Sequence, residues 1–87
     1  MKIINIEPTL YPSVDYDYEL NKYVESFEKQ FNVTVEYKDT TYTLVFGCAY
    51  ILVENEHGYD DLNFKSGHPL SKFYYILLNE LYTLDFD

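Results

Sequence analysis

The side chains that could perform nucleophilic or acid–base chemistry are one cysteine, Cys48, and two histidines, His57 and His68. A cysteine nucleophile needs an exposed thiol in electropositive surroundings. Cys48 instead lies in the apolar run 44–53, where we expect a buried and inert thiol. Both histidines are next to glycine, in segments that we expect to be surface loops. The sequence therefore predicts that the protein is not an enzyme.

Carboxylates are numerous, but their spacing matches no known catalytic or metal-binding motif. A pair such as Asp60 and Asp61 could act as general acid and base only in a desolvated cleft, and a short chain has little core to form one. The segment 54–61 could offer oxygen ligands to a hard cation, but it does not match the calcium-loop pattern. Two histidines eleven positions apart, with no CxxC pair, give no zinc signature. We expect no metal and no cofactor.

The length and composition of the chain limit the number of domains and the kinds of partner that it can bind. The 87 residues fit one domain, 1–87, and a hydrophobic content of 47% is too high for a disordered chain. Fifteen acidic residues and six lysines, with no arginine, give a formal net charge of −9. This charge repels phosphate, so we expect direct binding to neither nucleic acid nor membrane. The first eight residues contain one lysine and no apolar stretch of signal-peptide length, so we expect a cytoplasmic protein.

Apolar residues at helical spacing predict two helices. The first covers about 15–31, and its stripe consists of Tyr16, Leu20, Tyr23, Val24, Phe27 and Phe31. The second covers 69–82 and begins at Pro69; its stripe consists of Leu70, Phe73, Tyr74, Leu77, Leu78 and Leu81. Tyr75 and Ile76 widen the second stripe, which indicates deep burial or contact with another chain.

Alternating apolar and polar residues predict the strands. We expect a short strand at 2–6, a hairpin of 33–37 and 41–46, a strand at 49–54, and a short edge strand at 62–65. Gly47 either turns the chain between two strands or bulges one long strand; we favour two, because fourteen residues is long for a small sheet. The predicted fold is α+β: a small antiparallel sheet of three to four strands packed by two helices.

Acidic residues cluster next to tyrosines. The first cluster is Asp15, Asp17 and Glu19, the middle cluster is Glu54, Glu56, Asp60 and Asp61, and a third is Asp85 with Asp87. Tyr16 and Tyr18 interleave the first cluster, and Tyr59 precedes Asp60. Tyrosine supplies rigid contact area with a polar tip, and carboxylates beside it attract Lys and Arg of a partner. The first two clusters, with Tyr59, are the predicted partner-binding residues; the alternative is a solvated face that only keeps the protein soluble.

In its length, its lack of arginine and its acidic clusters at 15–19 and 54–61, the chain resembles the small acidic inhibitors made by phages. This class includes anti-CRISPR proteins and other DNA mimics, and the resemblance carries no diagnostic motif. It implies a non-enzymatic inhibitor that binds a basic nucleic-acid-handling protein, above all a CRISPR effector nuclease. Two alternatives stay open: an immunity protein against a nuclease toxin, and a structural or adaptor module that forms a homodimer through the 69–82 helix.

Overall fold

The computed structural model describes residues 1–86 as a five-stranded antiparallel sheet followed by one helix. The strands are β1 (Lys2–Asp17), β2 (Lys22–Tyr37), β3 (Thr40–Phe46), β4 (Ile51–Asn55) and β5 (Gly58–Asp61). A 3-10 turn at Ser71–Phe73 leads into the helix α1, Tyr74–Tyr82. Each strand pairs with the next in the chain, in the order β1-β2-β3-β4-β5. The predicted sheet of three to four strands packed by two helices is therefore wrong, because the sheet has five strands and residues 1–86 contain one α-helix.

The segment 15–31, predicted as a helix, forms the end of β1, a turn and most of β2. Apolar residues four positions apart, such as Tyr23, Phe27 and Phe31, share a helix face, but they also share a strand face because strand side chains alternate. Asn21 adopts φ 53, a left-handed conformation that a continuous helix does not contain. Of the six stripe residues only Phe31 is buried, so this stripe is not the core.

The core lies on one face of the sheet, under the C-terminal segment. Leu62, Leu70, Leu77 and Leu81 are buried from that segment. They pack with buried residues of β2, β3 and β4, namely Phe31, Val33, Val35, Leu44, Phe46, Ile51 and Val53. The second predicted helix is confirmed for 74–82, although Tyr75 and Ile76 are exposed rather than deeply buried.

The turns between the central strands follow the sequence prediction. Lys38 and Asp39 connect β2 to β3 with φ 50 and φ 61, the pair of positive values that a type I′ hairpin turn requires. Between β3 and β4 the Gly47 N–H donates to the Tyr50 carbonyl at 2.9 Å, so the two-strand alternative is confirmed.

The predicted edge strand at 62–65 is wrong, because the edge strand is β5. The predicted burial of Cys48 is also wrong, since the turn between β3 and β4 leaves the thiol exposed.

A two-stranded arm extends beyond the rest of the sheet. β1 and β2 have 16 residues each, but β3 pairs with β2 only from Phe31 to Tyr37. Residues 9–30, hereafter the arm, are therefore a hairpin that extends roughly 31 Å past the end of β3, since Lys22 is nine positions from Phe31 and a strand rises about 3.4 Å per residue. The arm accounts for much of the 51 Å longest dimension of the molecule. Pro8 and Pro12 are tolerated in β1 because it is an edge strand, whose outward N–H groups need no partner strand.

Candidate protein-binding site

One face of the arm continues the core face of the sheet without any cover from α1. Residues that pair across an antiparallel ladder share a face, and this face starts at the pair of Pro8 with buried Phe31. It continues outward through the pairs Leu10–Lys29, Pro12–Phe27, Val14–Glu25 and Tyr16–Tyr23. The side chains of Tyr23 and Phe27 are 73% and 69% exposed. Contiguous apolar side chains of this kind mark sites where a protein contacts another surface.

The tip of the arm is held in shape by its own side chains. The Asp17 carboxylate accepts the backbone N–H groups of Glu19 at 2.9 Å and Leu20 at 3.2 Å. The Tyr16 hydroxyl donates to Asn21 Oδ1. The Tyr16 ring also makes edge-to-face contacts with Tyr18 and Tyr23, with centroids 5.0 and 5.1 Å apart. The turn is thus ordered before any partner binds, which lowers the entropic cost of binding.

The first predicted cluster forms a groove at this tip. The groove has a volume of about 550 Å³. It is lined by the three predicted acids with two tyrosines and two smaller side chains, namely Asp15, Asp17, Glu19, Tyr16, Tyr18, Val24 and Ser26. A groove of carboxylates and tyrosine rings suits a Lys or Arg side chain, since the carboxylates accept charge-assisted hydrogen bonds and a ring face attracts the cation. The structure therefore brings the first cluster together as a concave acidic surface, hereafter the tip groove.

The middle cluster is exposed but divided between two faces of the sheet. Glu54 pairs with Tyr59, and Asp61 pairs with Leu52, so these three predicted residues lie on the face away from α1. Asp60 pairs with the buried Val53 and lies on the core face, where its carboxylate accepts the side-chain amide of Asn55. Glu56 lies in the turn between β4 and β5. The segment 58–61 is a strand, so its charges alternate between the two faces of the sheet instead of forming one patch.

The two clusters lie at opposite ends of the molecule. Val53 pairs with Leu44, which pairs with Val33, so the middle cluster is level with the base of β2. Val33 lies eleven positions along β2 from Lys22 at the tip, which corresponds to about 37 Å. One compact contact cannot cover both clusters. Asp85 is exposed, and Asp87 of the third cluster lies outside the described residues.

Tyr50 is a positioning residue that the sequence did not single out. Its hydroxyl accepts the side-chain amide of Gln30 at 2.5 Å and donates to Glu28 Oε1 at 3.0 Å. Both partners belong to the arm just beyond the end of β3, so Tyr50 supports the base of the arm from the neighbouring turn. Burial raises the pKa of the Tyr50 phenol above its ordinary value. A Cβ at position 47 would collide with this ring, which explains the glycine there.

The predicted absence of catalytic chemistry stays a prediction, but the histidines have structural surroundings. His68 Nδ1 accepts the Leu70 N–H at 3.1 Å, and its ring packs edge-on against Tyr42 at 5.2 Å. Burial lowers the pKa of this imidazole. His57 is exposed in the turn between β4 and β5. Within residues 1–86, no group of three or more His, Cys, Asp or Glu side chains could hold a metal ion. No helix in this part of the chain is long and apolar enough to cross a membrane.

The chain matches no protein family model, no curated protein and no solved structure.

Proposed function

We propose that the protein is a non-enzymatic inhibitor that inserts its arm into the basic groove of a nucleic-acid-handling enzyme, above all a CRISPR effector nuclease. The observation that carries this proposal is the tip groove, in which three carboxylates and two tyrosines line one concavity at the end of a projecting hairpin. This shape and charge fit a partner whose groove is lined by Lys or Arg side chains and is wide enough for a two-stranded ribbon.

The charge of the arm favours a groove that normally holds a phosphate backbone. Residues 10–29 contain five carboxylates and two lysines. Two strands lie about 4.8 Å apart, so the arm is a narrow, negatively charged ribbon. The net charge of −9 would also steer the protein toward a basic enzyme over a distance comparable to the Debye length. The arm would occupy the position of the nucleic acid rather than bind the nucleic acid itself.

The apolar face of the arm would supply most of the affinity. Aromatic side chains in desolvated pockets dominate binding energy, whereas charges at the rim act mainly on the association rate and on specificity. Tyr23 and Phe27 are aromatic, exposed and on one face, and Leu10 and Val14 lie on the same face in β1. These four side chains are the anchors that we assign to the interface.

Two charge-reversal variants at opposite ends of the molecule test the proposal. The tip variant carries Asp15→Lys and Glu19→Lys, and it retains Asp17 because that carboxylate holds the turn. The matched control carries Glu54→Lys and Glu56→Lys, the same change in charge at exposed positions near the other end. All three proteins are assayed against a panel of purified CRISPR effector nucleases and against any nuclease that the parent captures from a bacterial lysate.

We expect the parent and the control to block cleavage of DNA or RNA. The tip variant should lose most of its inhibition, because its two new lysines would face the Lys and Arg side chains of the enzyme. Inhibition should weaken as salt is raised, because the charges are exposed. Equal inhibition by the tip variant and the parent would remove the tip groove from the interface. A captured enzyme that is the nuclease domain of a toxin would instead support the immunity-protein alternative, which uses the same chemistry.

A specific observation favours the homodimer alternative as a second candidate. Tyr75, Ile76 and Tyr82 of α1 are exposed, and the Phe64 ring stacks on Tyr75 with centroids 5.8 Å apart. This second apolar patch could pair with its copy in a homodimer. Sedimentation equilibrium at low and high salt distinguishes the two candidates, because a dimer that is insensitive to salt and broken by Ile76→Lys would support the adaptor module.

A further inference from the structure

A groove larger than the tip groove lies at the opposite end of the molecule. It is an open groove of about 710 Å³, hereafter the base groove, between the turn that joins β2 to β3 and the segment 64–72. Its walls include four rings and two lysines, namely Tyr37, Tyr42, Phe64, His68, Lys38 and Lys72. The volume falls within the range of about 300–1,000 Å³ that small-molecule sites occupy. None of the partner-binding residues of the tip groove contributes to it.

Positive charge is concentrated in this groove although the chain is strongly acidic. Lys72 Nζ lies 4.7 Å from the centroid of the Tyr37 ring, and Lys38 Nζ lies 5.4 Å from the same centroid. Among the described residues that line the groove there is no carboxylate. Two ammonium groups thus flank one ring without a lining acid to neutralise them, and such a pair attracts an anion.

The ionisation of Tyr37 reflects the same positive charge. A hydrogen bond from the Lys72 ammonium is the main cause that lowers the pKa of the Tyr37 phenol, and the charges of Lys38 and Lys72 lower it further. Burial acts in the opposite direction and does not reverse the shift. An environment that stabilises a phenolate also stabilises the anionic group of a ligand.

Two rings of the base groove, Tyr42 and His68, are held in place by contacts within the protein. Tyr42 is held edge-on against His68 at 5.2 Å, and the N–H of Leu70 fixes the His68 ring through Nδ1. Ser71, whose side chain accepts the His68 N–H at 3.1 Å, is buried beneath this wall. Phe64 is half exposed at the rim, with Lys65 Nζ 5.3 Å from its centroid. Aromatic side chains of this kind stack on the flat rings of ligands.

We propose that the base groove binds a small anion in which a phosphate is attached to a flat ring system, the chemistry of a mononucleotide. The phosphate contacts the Lys38 and Lys72 ammonium groups beside the Tyr37 hydroxyl, and the flat ring packs on Tyr42. A nucleic-acid strand is the less suitable ligand, because the net charge of −9 repels a polyanion along most of its length. A single phosphate meets only the local positive charge. This site does not depend on the proposed inhibitor function.

Titration of the labelled protein with adenosine 5′-monophosphate, followed by amide chemical shifts, tests the proposal directly. We expect saturable shifts confined to residues around 37–42 and 64–72. Adenosine and inorganic phosphate, titrated separately, should each bind at least about tenfold more weakly, because each lacks one half of the contact. If adenosine bound as tightly as the monophosphate, the proposed phosphate contact would be overturned. If inorganic phosphate bound as tightly, the proposed ring contact would be overturned. Tighter binding of a ten-nucleotide DNA strand would overturn the choice of a small ligand.

A pair of double variants separates the site from general charge. Lys38→Gln with Lys72→Gln removes both ammonium groups of the base groove and should weaken binding of the monophosphate by about tenfold or more. The control, Lys22→Gln with Lys29→Gln, removes the same charge from the arm and should leave affinity within about twofold. Equal weakening by both double variants would overturn the site, and so would the absence of saturable shifts in the parent at millimolar ligand. Both lysines of the groove are exposed, so the variants should fold as the parent does.

Discussion

Two phenylalanines in different surroundings provide a sharp test of the fold. Phe46 of β3 is 0% exposed at the centre of the core, whereas Phe27 of the arm is 69% exposed. Truncation of a buried phenylalanine to alanine costs about 3–5 kcal/mol, because the apolar surface and the packing around it are both lost. We expect Phe46→Ala to lower the free energy of unfolding by that amount, which is a large share of the stability of a domain this small.

The same truncation in the arm should cost much less. Full burial of a phenylalanine side chain stabilises a protein by about 1.5–3 kcal/mol, and only about a third of Phe27 is covered. The expected cost of Phe27→Ala is therefore about 0.5–1 kcal/mol. The difference between the two variants should exceed about 2 kcal/mol, which is well outside the error of a denaturation experiment.

Urea unfolding followed by far-ultraviolet circular dichroism measures both values on one scale. The slope of each transition should match that of the parent, so that the shift in midpoint reports stability alone. If Phe27→Ala destabilised the protein as much as Phe46→Ala, the segment 15–31 would belong to the core. The helix that its periodicity predicts would then be the better description of this segment.

Substitutions at three further positions probe single contacts. Gly47→Ala should lower the melting temperature, because the added Cβ would displace the Tyr50 ring from the base of the arm. An unchanged melting temperature would show that Tyr50 does not support the arm. An ordinary tyrosine has a pKa near 10. A site-resolved NMR titration should give the Tyr37 phenol a pKa below that value. Lys72→Ala should raise that pKa, and no change would contradict the assigned cause. Asp17→Ala should speed amide exchange in the turn at the arm tip, whereas Asp17→Asn, which keeps an acceptor oxygen, should not; equal rates in both would refute the proposed turn.

The sequence indicated the central strands because their two faces differ. In the hairpin of β2 and β3, buried residues such as Val33, Val35 and Leu44 alternate with polar ones, and only a strand satisfies that period. The arm has no such signal. Tyr23 and Phe27 are four apart, a spacing that fits a helix and a strand equally well.

Functional residues could likewise be predicted only where they lie close together in the sequence. The tip groove could be anticipated because Asp15–Glu19 is one short stretch in which acids and tyrosines alternate. The distance between the tip groove and the middle cluster could not be anticipated, because it depends on which strands pair. The lysines of the base groove, Lys38 and Lys72, are 34 positions apart in the chain and meet only in the folded protein. No local pattern joins them.

Amide hydrogen exchange on a complex with an enzyme that the protein inhibits tests most directly whether the arm is the contact. Insertion of the arm predicts that the enzyme slows exchange within residues 9–30, most strongly around the tip at 15–23. It also predicts that this protection disappears when the enzyme is first loaded with its nucleic acid. Protection confined to β4, β5 or α1, or protection of the arm that survives loading with nucleic acid, would contradict insertion of the arm into a nucleic-acid groove.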